Sequence, residues 1–207
     1  MAEIEIDDLD QCRDLAVSFL QPLTALDWTA PIPDLQWNCE RALQHLINTQ
    51  IYLAMHLAAG AADALPFARG PAAAAGLRPD EMLLELSATT AVLGSVMRTT
   101  SDGATAFYGG DRTDRSGALA VACDELLVHS WDIRRGFHTD FVAPGDLALK
   151  ITGRLFPWAP AAADPWPVLL WCNGRIALDG RPRLGADWRR WLAPLADWDG
   201  DDPTGPV

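Results

Sequence analysis

The sequence predicts an all-α fold: a four-helix bundle followed by a short, mainly helical C-terminal extension. Three observations carry this. Four long segments repeat apolar residues at helical spacing. The stretches between them are rich in glycine and proline, which interrupt helices. No series of alternating apolar and polar segments recurs, as a sheet would require.

The first helix is expected over Asp7 to Leu26, where Leu9, Cys12, Leu15, Ala16, Phe19, Leu20 and Leu23 recur near helical period. DWTAPIPD holds two prolines and is a connection. A long second helix is expected from about Leu35 to Ala59, with Gly60 at its end, where glycine takes a left-handed conformation readily. Residues 61–77 mix alanine with Pro66, Gly70, Pro71 and Gly76, and are expected to be a loop with some helical tendency. Pro79 and Asp80 suit the start of a third helix, which runs to about Thr99. SDGATAFYGG is a connection. The fourth helix is expected from Thr113 to Arg135, stopped by Gly136. Gly145 to Leu155 reads as a fifth helix. Trp166 to Leu178 reads as a sixth helix or a buried strand, since so short an apolar run suits both. GRPRLG is a turn-rich link, and Asp187 to Leu192 is expected to form a last helical turn. The expected division is therefore residues 1–140 as the bundle, 141–199 as an extension packed on it, and 200–207 as a disordered tail.

Composition excludes several function classes. Of 207 residues, 49% are hydrophobic and 21% charged, enough for a packed core. The net charge of −12 argues against nucleic acid and against an anionic membrane surface, both of which select lysine and arginine clusters. No apolar stretch approaches the ~20 residues of a membrane helix, and MAEIEIDDLDQC lacks the pattern of a signal peptide. Four dispersed cysteines form no CxxC pair and read as buried reduced thiols, so the expected compartment is the cytoplasm. Nine tryptophans imply aromatic packing, concentrated from Trp158 onward; a homodimer follows if some are exposed together.

The chemistry centres on DELLVHSWDI, residues 124–133. Glu125 and His129 are four apart and share a helix face. Leu119, Ala122, Leu126, His129 and Ile133 form an apolar stripe with Glu125 at its edge. A carboxylate at the border of a core needs a partner. Asp132 falls on the same side and can orient a histidine. On the second helix, Asn38, Ala42, His45, Thr49, Tyr52 and His56 form a row beside an apolar row. Should the two rows face each other, His45, Glu125 and His129 make a three-ligand set with an open position, as open metal sites do. His56 is a spare candidate, and His138 falls in a loop. Spacing alone leaves a solvated helix stripe equally open.

RALQHL (41–46) and DELLVHSWDI, in that order, resemble the mycothiol-dependent maleylpyruvate isomerase family, within the DinB-like four-helix bundles. DFVAPGDLAL (140–149) and LLWCNGRIAL (169–178) resemble its C-terminal elements more softly. DLQWNCE stands where that family carries a Gly-Trp-Thr type segment, and the region after Gly136 is short for the C-terminal domain of the isomerases themselves. The resemblance implies that His45, Glu125 and His129 bind a divalent metal, usually zinc. It implies mycothiol or a similar thiol as co-substrate, activated for transfer to, or isomerisation of, a small electrophile. Arg175 is then the expected contact for an anionic group, with Thr49, Tyr52 and Asp132 lining the cavity. The alternatives are a non-catalytic metal- or ligand-binding resistance bundle, and a natural-product enzyme on the same fold that has abandoned the thiol.

Overall fold

Local chemistry accounts for most element boundaries in the computed structural model of the protein, which describes residues 3–60, 76–101, 103–186 and 188–202. Most of the loop expected at 61–77, and the tail from position 203, lie outside the described residues. Helix α1 (Ile6–Leu20) starts where the Asp8 carboxylate accepts the Glu5 N–H at 2.7 Å. It ends six residues before the expected Leu26, passing into a 3₁₀ turn at Gln21–Leu23. Pro22 is the reason: it has no N–H to give an α-helical bond and crowds the preceding turn.

Helix α2 (Cys39–Ala59) also starts later than expected. The Asn38 side chain accepts the Arg41 N–H at 2.8 Å, capping the helix there. Residues 30–39 close on themselves: Ile32 N–H donates to the Trp37 carbonyl at 2.9 Å, and Cys39 N–H to that of Ala30 at 3.0 Å. This tight loop holds Trp37 over the head of α2. Gly60 ends the helix with φ of 57°, as its position predicts.

Helix α3 (Pro79–Thr99) has the predicted boundaries, with Asp80 and Glu81 in its first turn. The connection after it contains a feature not expected from sequence, an antiparallel hairpin of β1 (Thr105–Tyr108) and β2 (Asp111–Asp114). Gly109 and Gly110 both have positive φ, which the tight hairpin turn between the strands requires. Helix α4 (Arg115–Gly136) then starts beyond Thr113, because Asp114 caps it by accepting the Gly117 N–H at 2.7 Å. Helix α5 (Gly145–Leu155) matches expectation. The sixth segment resolves as helix α6 (Pro165–Cys172), shorter than the predicted run; Gly174, with φ of 65°, turns the chain away.

The helical turn predicted over Asp187–Leu192 is absent from its described residues, 188–192; a 3₁₀ turn occurs instead at Leu195–Asp197. Arg154, only 6% exposed, explains the extended path. Its guanidinium donates to the carbonyls of Trp191 and Ala193, each at 3.1 Å, and to Asp114 Oδ1 at 2.6 Å. The Trp191 N–H, which a helical turn would use, donates instead to the Leu155 carbonyl at 2.7 Å. This strap runs back across the bundle.

In the bundle, α1 and α2 each pack against both α3 and α4. Helix α4 is buried on every face from Gly117 to Ser130, so it is the central rod and not the amphipathic helix its stripe suggested. Helix α5 packs on α4 and carries α6 with it. All four cysteines are buried and unpaired by disulfide. Three tryptophans are buried, six half-buried and none fully exposed. Among the described residues no helix is long and apolar enough to cross a membrane.

Gly136 is needed for a different reason than helix termination. A Cβ there would collide with Cys39 Sγ while meeting Ile32 at an ordinary contact distance of 3.5 Å. Its absence lets the Trp37 loop and the head of α2 close against the end of α4. Gly136→Ala should therefore lower stability by about 1–3 kcal/mol, the usual cost of overpacking, measured by urea denaturation; an unchanged midpoint would contradict this packing.

Candidate metal centre

Three side chains that are distant in sequence meet between α2 and α4. His45 Nε2 lies 2.7 Å from Glu125 Oε2, and His129 Nε2 lies 3.2 Å from the same oxygen. One ligand atom from each residue falls within 4.8 Å of the other two. Two imidazole nitrogens and a carboxylate oxygen turned toward one point are a donor set for a divalent cation, with room for further ligands. The residues fit such an ion. His56, the spare candidate, packs against Tyr52 and Phe107 instead. His138 is exposed in the loop after α4, as expected.

The surroundings are strongly charged although buried. Arg190 Nη2 lies 2.8 Å from Glu125 Oε1 and 2.7 Å from Asp124 Oδ2. Asn173 donates to the other Asp124 oxygen at 2.9 Å. Arg190 thus holds Glu125 by one oxygen and leaves the other facing the histidines. Burial by itself would raise the Glu125 pKa, but Arg190 first, then His129, hold it well below the usual carboxylate range. Asp124 goes the other way: burial raises its pKa and the Arg190 charge only partly offsets this. Asp132 Oδ2 lies 2.9 Å from His129 Nδ1, an ionic contact without the in-line angle of a hydrogen bond. Burial pushes the His129 imidazole down, yet the Glu125 charge and the Asp132 carboxylate bring it up to about 9. A metal arriving at Nε2 displaces a firmly held proton.

Of the other predicted residues, Arg175 grips Asp132 through Nε and Nη2, at 3.0 Å and 3.0 Å, and donates from Nη1 to the Asn173 carbonyl at 2.8 Å. Two cavities flank these three residues. The larger, about 450 Å³, is lined by His45, Asn48, Thr49, Tyr52, Tyr108 and the glycine turn of the hairpin. The smaller, about 230 Å³, has Glu125, His129, Arg175 and Arg190 on its walls, together with Trp37 and Trp188. Trp37 stacks on His129 with ring centroids 5.5 Å apart and contacts His45 at 4.9 Å. Tyr108 keeps its proton tightly: burial and the Glu125 charge both raise its pKa.

The chain matches the mycothiol maleylpyruvate isomerase N-terminal domain over residues 9–134. The chain belongs to that family. The match begins within α1 and ends within α4, just beyond His129. Two solved structures, titled as the mycothiol-dependent maleylpyruvate isomerase and a histidine-to-alanine mutant of it, share the fold. They are 19% and 17% identical to this chain, each with a TM-score of 0.51, over 72% of this chain and 70% of theirs. Comparison with curated proteins returns no match.

Sequence reasoning overlooked Arg190, Asp124, Asn173, Tyr108 and Trp37 as site residues. A signal existed for the first. Three acidic residues inside an apolar helix demand buried cations, and the Arg-bearing aromatic runs WCNGR and WRRW are where such cations occur. Arg190→Met leaves Asp124 and Glu125 buried without their guanidinium. Expected is a loss of roughly 3–5 kcal/mol, as for breaking a buried ion pair from one side, with partial recovery when Asp124→Asn is added. Denaturant titration of the single and double variants checks both.

Proposed function

We propose that the protein is a metal-dependent enzyme that activates a low-molecular-weight thiol of the mycothiol type for transfer to, or isomerisation of, a small electrophile. The observation that carries this reading is the position of His45, Glu125 and His129 at the junction of two cavities, so that one cation would be reached from both sides. Zinc is the natural occupant of two imidazoles and a carboxylate with open positions. When bound there, a divalent ion lowers the pKa of a coordinated thiol and so supplies a thiolate near neutral pH.

The chain's own residues would do the rest. His45 and His129 hold the ion through Nε2, and Glu125 through Oε2. Asp132 stands 2.9 Å from His129 Nδ1, where its charge favours a ring N–H at Nδ1 and leaves Nε2 for the ion. Arg175 anchors Asp132 in turn. The larger cavity presents uncharged hydrogen-bonding groups. Asn48 Oδ1 is shielded there without a hydrogen-bond partner, and Thr49 and Tyr52 add hydroxyls. Such a wall suits the hydroxyl-rich body of a sugar thiol. The smaller cavity, walled by indoles that exclude water, suits the electrophile.

Elemental analysis of protein purified without chelator or metal-affinity tag should find one divalent ion per chain. His45→Ala and His129→Ala should each lose it, with helix content by circular dichroism nearly unchanged. Asp132→Asn should weaken zinc binding roughly 10–100-fold. Mycothiol consumption with a panel of electrophiles should depend on the metal. A full metal equivalent in His129→Ala would refute the ligand set, whereas metal without thiol-dependent turnover would leave a binding protein.

A further inference from the structure

The smaller cavity carries a second inference, which rests on the reading of this site as a thiol-activating centre. We propose that its electrophile is a neutral, flat molecule held between Trp37 and Trp188, and that the cavity discriminates against the dicarboxylate class to which maleylpyruvate belongs.

The charge pattern argues first. Two guanidinium groups line the cavity, and a free guanidinium there would receive a carboxylate. Neither is free. Arg175 spends Nε and Nη2 on Asp132. Arg190 spends Nε on Asp124 and shares Nη2 between Asp124 and Glu125. Three carboxylates therefore face two guanidiniums. A divalent ion with a bound thiolate brings this set only to neutrality. A dianionic substrate would then add two negative charges beside a set that is only neutral, where unpaired charge is costly.

The walls argue second. Trp37 is nearly parallel to the His129 ring, at an interplanar angle of 28°, and is braced by His45. Trp188 lies so close to Gly174 that a Cβ there would come within 2.9 Å of its ring. The Arg190 guanidinium sits 5.0 Å from its centroid. Both indoles are thus held by packing before any ligand arrives, which lowers the entropic cost of stacking a planar guest. The volume of about 230 Å³ falls below the roughly 300–1,000 Å³ of drug-sized pockets, so the guest has one or two rings.

Titration calorimetry of the metal-loaded protein with two probes tests this. Coumarin is a neutral, flat, unsaturated lactone; maleate is a small dicarboxylate. Coumarin should bind, maleate should bind at least tenfold more weakly, and Trp188→Ala should weaken coumarin at least tenfold with metal content unchanged. Tighter binding of maleate, absence of coumarin binding, or indifference of coumarin to Trp188→Ala each overturns the proposal. Metal content is read on the same samples. Trp188-dependent coumarin binding by protein that takes up no metal would sink the metal reading alone, while tighter maleate binding by a metal-loaded, thiol-consuming protein would sink this inference alone.

Discussion

The pairing of buried carboxylates on α4 with arginines from the C-terminal extension governs the rest of the molecule. Asp124, Glu125 and Asp132 lie on a helix that is enclosed on nearly all sides. A carboxylate there is tolerable only when paired and hydrogen-bonded. Among the described residues, no arginine or lysine of another bundle helix pairs with any of the three. Arg175 follows the end of α6, and Arg190 lies on the strap that Arg154 ties down over α4. The extension is therefore bound to the bundle by electrostatic necessity as well as by the packing of α5.

That pairing also shapes the ligand set. Arg190 occupies one oxygen of Glu125 and so directs the other at His45 and His129. Arg175 fixes Asp132, which stands behind His129. Glu125 and His129 on α4 thus each have a partner on the far side. The positions of these donor atoms are set by the protein's own contacts. Orientation comes from the extension, while the donor atoms come from the bundle.

Two irregular segments complete the site. The closed loop before α2 supplies Trp37 as a wall over both imidazoles, and the β1–β2 hairpin supplies Tyr108 and its glycine turn to the opposite cavity. Neither segment belongs to the bundle. Each is fixed by local hydrogen bonds and by glycines that permit close approach or a positive φ. The helical frame brings His45, Glu125 and His129 together, and these segments wall the space around them.

The sequence by itself determined the helices, because helical periodicity, an N-terminal proline and a terminal glycine are local signals. Boundaries failed where a local competitor was overlooked: Pro22 shortened α1, Asn38 delayed α2, and the paired glycines of AFYGGD made a hairpin where a bare connection was expected. The same periodicity put Glu125 and His129 on one face and His45 in a polar row of the second helix, and the family resemblance implied that the three act together. Only the tertiary structure decided that the rows of α2 and α4 face each other, that α4 is buried on all sides, and that Arg190 reaches Glu125 from sixty-five positions away. Those facts depend on long-range packing and on the pairing of buried charge, neither of which leaves a periodic trace along the chain.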